Sequence, residues 1–167
     1  ESPLLQDGPP GDERRAADVR LTQLSLEGRM LAQYVYRTDV ASPTQKGESS
    51  DIGISEILAA SDTELLVLER SGVKLARGGF RFRTRLYCVD LQQATDVSSF
   101  DTLKDQTYRR VSKRLMFDFD KVPAAGNIEG MAWGPAPGSG RRSLVFASDN
   151  NFFPDVPTRL LFFSVRR

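Results

Sequence analysis

The chain has 167 residues, of which 27% are Asp, Glu, Lys or Arg, and a formal net charge of +1. That length supports one domain with a real core, and so even a charge balance excludes a dedicated nucleic-acid binder, which carries a basic excess on one face. The sequence has no histidine, which excludes Ser-His-Asp and Cys-His catalysis and every His-ligated metal site. A single cysteine, Cys88, excludes an internal disulfide and any Cys-based zinc cluster.

Residues 1–18 are rich in Pro, Gly and charge, and read as a mobile tail or linker ahead of a domain at 19–167. The segment is too polar for a signal peptide. Because the chain opens without Met, a processed or trimmed product is expected. No apolar run approaches the roughly 20 residues that span a bilayer. The first strand is predicted at Val19–Leu26, where apolar and polar residues alternate, with a turn at Glu27-Gly28 and a second strand at Arg29–Thr38. A polar loop follows over 39–51.

The next predicted strands are Ile52–Ser61, Glu64–Glu69 and Arg83–Leu91, with a turn at Asp62-Thr63 and a Gly-rich connection at 71–81. Cys88 lies inside the apolar run of the third of these and reads as a small buried hydrophobe. Residues 92–113 are polar, either a long loop or a short helix near Asp101–Arg110. Lys113–Phe119 is predicted as an outer strand ended by Lys121-Val122-Pro123. The last third holds three short apolar runs, NIEGMAWGP, SLVFASD and TRLLFFSV, separated by turn residues. Strands joined by turns, with one weak helix candidate, define an all-β class.

The chain repeats. Arg20-Leu21, Arg85-Leu86 and Arg159-Leu160 each open an apolar strand, and Thr84-Arg85 matches Thr158-Arg159. Upstream, ISEILAAS and IEGMAWGP align so as to set Glu56 beside Glu129, and ELLVLER and SLVFASD follow them in turn. Four-stranded units in this order are the pattern of β-propeller blades, and the chain supplies about two and a half of them, a partial β-propeller. An antiparallel sandwich is the competing fold. An open fan exposes strand edges, so another polypeptide or segment is expected to complete the propeller.

NIEGMAWGP, SDNNFFPD and TRLLFFSV, with LLVLERSG and TRLYCVDL upstream, resemble the C-terminal part of the phytase-like family, also described as the "esterase-like activity of phytase" domain, over about residues 19–166. The resemblance implies a β-propeller, an ester-hydrolysing activity on phosphate or carboxylic esters, a small ester or phosphate ligand, and an extracellular, periplasmic or organelle-lumenal location.

Without histidine, chemistry rests on oxygen ligands and carboxylates. Glu56 and Glu129, on first strands that line a propeller channel, are candidate ligands for a hard cation, Ca²⁺, with Asn127 and Asp149 adding oxygens. Such an ion would polarise the ester and activate water, with Glu56, Glu129 and Asp149 as ligands or acid–base groups. The same glutamates also suit backbone hydrogen bonding between blades. Asp149-Asn150-Asn151 suits a turn as well as a site. Arg70 and Asn150 are candidate ligand-binding residues, and for Arg70 an inter-blade salt bridge is the alternative. Trp133 and Phe152-Phe153 read as packing residues, and the basic stretch 104–114 as a solvated face or an acidic partner's surface. The alternative to an enzyme is a non-catalytic propeller that serves as an interaction or assembly subunit.

Overall fold

The computed structural model describes residues 2–41, 49–76, 78–135 and 142–165. The strands are β1 (Asp18–Leu24), β2 (Met30–Arg37), β3 (Ser49–Ala59), β4 (Glu64–Lys74), β5 (Phe80–Asp90), β6 (Ser112–Asp118), β7 (Asn127–Gly134), β8 (Arg142–Asp149) and β9 (Leu160–Val165), with one 3₁₀ turn at Phe119–Lys121. They form three open antiparallel sheets in sequence order, β1-β2, β3-β4-β5-β6 and β7-β8-β9. The expected all-β class and the grouping of two, four and three strands are both observed.

Turn chemistry sets the hairpins. Gly28 sits at φ 81° and lets β1 turn back into β2. The β4–β5 hairpin runs further than the sequence suggests, because residues 71–74, read as a Gly-rich connection, continue the ladder from Glu64↔Asp90 to Lys74↔Phe80. The helix considered near 101–110 is absent. Residues 91–111 instead cover the outer edge of β2, where Val97 and Val111 donate to the Gln33 and Val35 carbonyls at 2.8 and 3.0 Å. A covered edge cannot template pairing with another chain.

Two apolar cores join the sheets in series. β4 is central in the middle sheet, so both of its faces are buried, which explains its continuous rather than alternating apolar run. Val67 faces the first sheet with Val19, Leu21, Tyr36, Tyr87 and Val89. Leu66 and Leu68, with Leu86 of the same sheet, pack against Ile128, Leu144 and Phe146 of the third sheet. Burying each of these side chains is worth roughly 1.5–3 kcal/mol. Phe119 and Phe163 both meet Phe146 edge-to-face, with centroids 5.0 and 5.3 Å apart, a geometry favoured by the ring quadrupoles.

Residues 2–17, which composition alone assigns to a tail, lie along the domain. Arg20 donates to Asp7 at 2.6 Å, with 6% and 0% of the two side chains exposed. The Leu103 N–H donates to Asp7 at 2.8 Å, and Gly11 bridges to Ile52. Cys88 is half-buried rather than buried, with its thiol 3.7 Å from Glu64. Trp133 packs at the edge of the second core as expected, and its indole N–H donates to the Ala59 carbonyl at 2.9 Å. Phe152 and Phe153 are exposed, 98% in the case of Phe152, and are not core residues.

Candidate functional site

The first strands of the second and third sheets each carry one extra residue, and these bulges determine where the candidate glutamates point. The register skips Ser55 between Ile54↔Glu69 and Glu56↔Leu68. In β7 it skips Glu129, between Ile128↔Ser148 and Gly130↔Ala147. The counterpart of Glu129 is therefore Ser55, and Glu56 lies one residue further along. The two glutamates thus do not share a position.

Their contacts differ accordingly. Ser55 Oγ donates to the Ile128 carbonyl at 3.4 Å, bridging β3 and β7. Glu129 Oε1 lies 3.6 Å from Arg70 Nε, an ion pair between the third and second sheets without a hydrogen bond. Arg70 also lies over the Phe82 ring, 5.5 Å from its centroid. Glu56 accepts the N–H of its own neighbour, Ile57, at 2.9 Å.

Asn127, Asp149 and Asn150 are brought together. Asn127 and Asp149 are cross-strand partners at the end of the third sheet. With Asn150 they line a cleft of about 910 Å³ between the second and third sheets, walled by the start of β5, the 3₁₀ turn with the loop to Gly126, and the β8–β9 loop. Its walls are largely apolar, among them Phe80, Phe82, Phe119, Val122, Phe153 and Val156. Apolar walls with a few polar groups are the usual composition of a small-molecule site.

Two polar residues of this cleft are 2% exposed, Thr84 and Asn127, and neither the Thr84 hydroxyl nor either amide atom of Asn127 has a hydrogen-bond partner. Such a group costs about 1–3 kcal/mol when left unpaired, and native proteins keep few of them. The backbone around the cleft is strained as well. Ala124, Asn151 and Phe152 have φ of 55°, 50° and 60°, a conformation that Asn tolerates and that Ala and Phe adopt at a cost. Asp149 Oδ1 accepts the Asn151 N–H at 2.9 Å and Asn150 Oδ1 the Phe152 N–H at 3.0 Å, so both hold the turn as well as line the cleft.

These residues do not fit a calcium site. Glu129 is taken by Arg70 and Glu56 by its own strand. Among the described residues no three His, Cys, Asp or Glu side chains stand close enough to hold an ion, and hard cations of this size take six to eight oxygens.

A second polar cluster lies between the first two sheets. Glu69, 2% exposed, accepts the Tyr36 hydroxyl at 2.9 Å, the Asp39 N–H at 3.1 Å and Lys113 Nζ at 3.0 Å. Asp39 accepts Tyr87, Arg85 and Lys113 at 2.6, 3.0 and 2.7 Å. Burial pushes the Glu69 carboxyl above the usual glutamate range despite Lys113. Burial also pushes Asp39 up, but hydrogen bonds from Lys113 and Tyr87 outweigh it and hold Asp39 below the usual range. Burial, with Glu69 beside it, raises the Tyr36 phenol far above its ordinary value. Beside Glu69 is a void of about 10 Å³, room for about one water. The available signal for this cluster was an acid inside the apolar run ELLVLER. Two residues of the basic stretch 104–114 are engaged in ion pairs: Lys113 inside the cluster, and the exposed Arg110, which donates to Asp18 at 2.8 Å.

The fold defines an all-β protein of serial antiparallel sheets with a ligand-sized cleft between the second and third. Residues 1–152 match the family described as Phytase-like: Esterase-like activity of phytase, and the chain belongs to that family. The match takes in the N-terminal segment and stops inside the turn after β8. Comparison with curated proteins and with solved structures gives no match.

Proposed function

We propose that the three sheets are successive blades of a phytase-like β-propeller, and that the cleft beside Asn127 is where it binds and hydrolyses a small carboxylic ester. The observation that carries this reading is the pair of buried, unpartnered groups, Thr84 and Asn127, at a ligand-sized apolar cleft. Groups left unpaired in the free protein have capacity for a ligand.

The chemistry uses this chain's own residues. Asp149 keeps one carboxylate oxygen outside its turn and takes a proton from the water that attacks the ester carbon. A rotamer change brings the Asn127 amide to the carbonyl oxygen, where its N–H groups stabilise the negative charge that develops there. The C–O bond to the leaving alcohol then breaks, and Asp149 returns its proton to that alcohol. The test is hydrolysis of 2-phenylethyl acetate followed by NMR. Asp149→Asn is expected to lower the rate by about a hundredfold or more; equal rates for Asp149→Asn and the unmodified chain overturn the assignment.

The exposed edges favour a second role, in assembly. Among the described residues β9 pairs only with β8, and Leu160 and Phe162 on it are 61% and 68% exposed. Leu24, Leu26, Met30 and Leu31 are exposed at the β1–β2 hairpin. Another polypeptide or segment supplying a strand to β9 and blades beyond β1 buries these positions. Native mass spectrometry tests this: a stable complex supports it, and a solitary chain in native extracts contradicts it.

A further inference from the structure

The charge around the cleft is uneven. Asp120, Asp149 and Asp155 line it, and Arg81 is the one cation among the described lining residues. Arg83 lies nearby, but its guanidinium is held by Asp118 at 2.7 Å and Asp120 at 3.0 Å. That leaves Asp149 and Asp155 with no basic side chain within ion-pair distance among the described residues, in the same cleft as the rings of Phe80 and Phe153; the Phe82 ring already carries Arg70.

Carboxylates beside aromatic faces attract cations in two ways, by direct charge and through the negative face of each ring. The same arrangement repels a phosphate or carboxylate group. The unpartnered Asn127 carbonyl and Thr84 hydroxyl add acceptors for an N–H donor. The cleft is also large enough for a body the size of a phenyl ring.

Resting on the reading of this cleft as the ligand site, we infer that its ligand is an organic cation: a protonated amine on an apolar or aromatic body, with the ester as the reacting group. The ammonium lies toward Asp155, with the Asp149 charge favouring it from further off, and the body lies against the phenylalanines. Anionic esters, phosphate esters among them, are the class this cleft rejects.

Three probes with one body and three charges test it: 2-phenylethylammonium, 2-phenylethanol and 3-phenylpropanoate, titrated by calorimetry at low and high salt. The ammonium is expected to bind at least about threefold more tightly than the alcohol, and the carboxylate more weakly than both. Added salt narrows the difference. In Asp149→Asn/Asp155→Asn the preference for the ammonium falls to about one, while the alcohol binds as before. Asn keeps the side-chain oxygen that holds the turn, so this variant folds like its parent. Carboxylate binding as tight as ammonium binding, or a preference that survives the double substitution, overturns the inference and leaves the cleft as a ligand site. Failure of all three probes to bind overturns the ligand-site reading and the inference with it.

Discussion

Glu69 and Lys113 meet 3.0 Å apart between the first two sheets, with only 1% of the glutamate side chain exposed. The two partners are not equivalent. Removing Lys113 leaves a buried carboxylate without its cation, whereas removing the Glu69 charge leaves Lys113 with Asp39 at 2.7 Å. Lys113→Met is therefore expected to cost about 3–5 kcal/mol, a fall in Tm of roughly 6–20 °C for a chain of this length. Glu69→Gln keeps the shape and is expected to cost about 1 kcal/mol or less. Thermal unfolding of the two variants checks the asymmetry.

The same cluster gives stability a defined pH dependence. Glu69 is raised in the folded state, so its contribution is fully present below the ordinary glutamate value, about 4.3, and is lost as pH rises through the folded value. Asp7, Asp18, Asp39 and Asp118 are lowered. Their contributions are present above the ordinary aspartate value, about 3.9, and are lost as pH falls through their folded values. Urea midpoints are expected to fall steeply below about pH 4, and the slow decline above about pH 4.5 is expected to flatten in Glu69→Gln.

Asp7 ties the N-terminal segment to β1. Its hydrogen bond from Arg20 holds the carboxyl below the usual aspartate range, and both partners are buried. Deleting residues 1–8 strands Arg20, and a loss of about 3–5 kcal/mol is expected. Chemical denaturation of the truncated chain measures it; an unchanged midpoint contradicts the packed position of this segment.

Asn127 should show the conflict between stability and function. Asn127→Leu removes two unpartnered buried atoms, and stability is expected to hold or to rise by up to about 1 kcal/mol. Ligand binding and ester hydrolysis are expected to be lost in the same variant. A variant that loses binding only because it unfolds contradicts the assignment, and the thermal transition separates the two cases.

Much of the architecture was legible because the repeat lies in the sequence. Ile54 and Ile128 both precede a bulge, and Thr84-Arg85, within β5, recurs as Thr158-Arg159, just ahead of β9. The bulges themselves were not legible, since one extra residue leaves the apolar pattern unbroken; the pairing of Glu56 with Glu129 was a one-residue misalignment, because setting Ile54 on Ile128 already places Ser55 opposite Glu129. Asn127, Asp149 and Asn150 were found together because they flank one strand pair. The rest of the cleft comes from three distant segments, 79–84, 119–126 and 153–156, whose meeting depends on how the second and third sheets pack. The Asp7–Arg20 pair was hidden by composition, because a Pro- and Gly-rich stretch reads as a tail whether or not one acid within it finds a buried arginine.

The central claim is that the cleft at Asn127 holds a ligand, and NMR of the ¹⁵N-labelled chain titrated with 2-phenylethyl acetate tests it most directly. The side-chain amide of Asn127 and the backbone amides of Gly126 and Asn151 are expected to shift together and to saturate with one affinity. Saturating shifts confined to residues outside the cleft, or no shift at millimolar ester, contradict the claim.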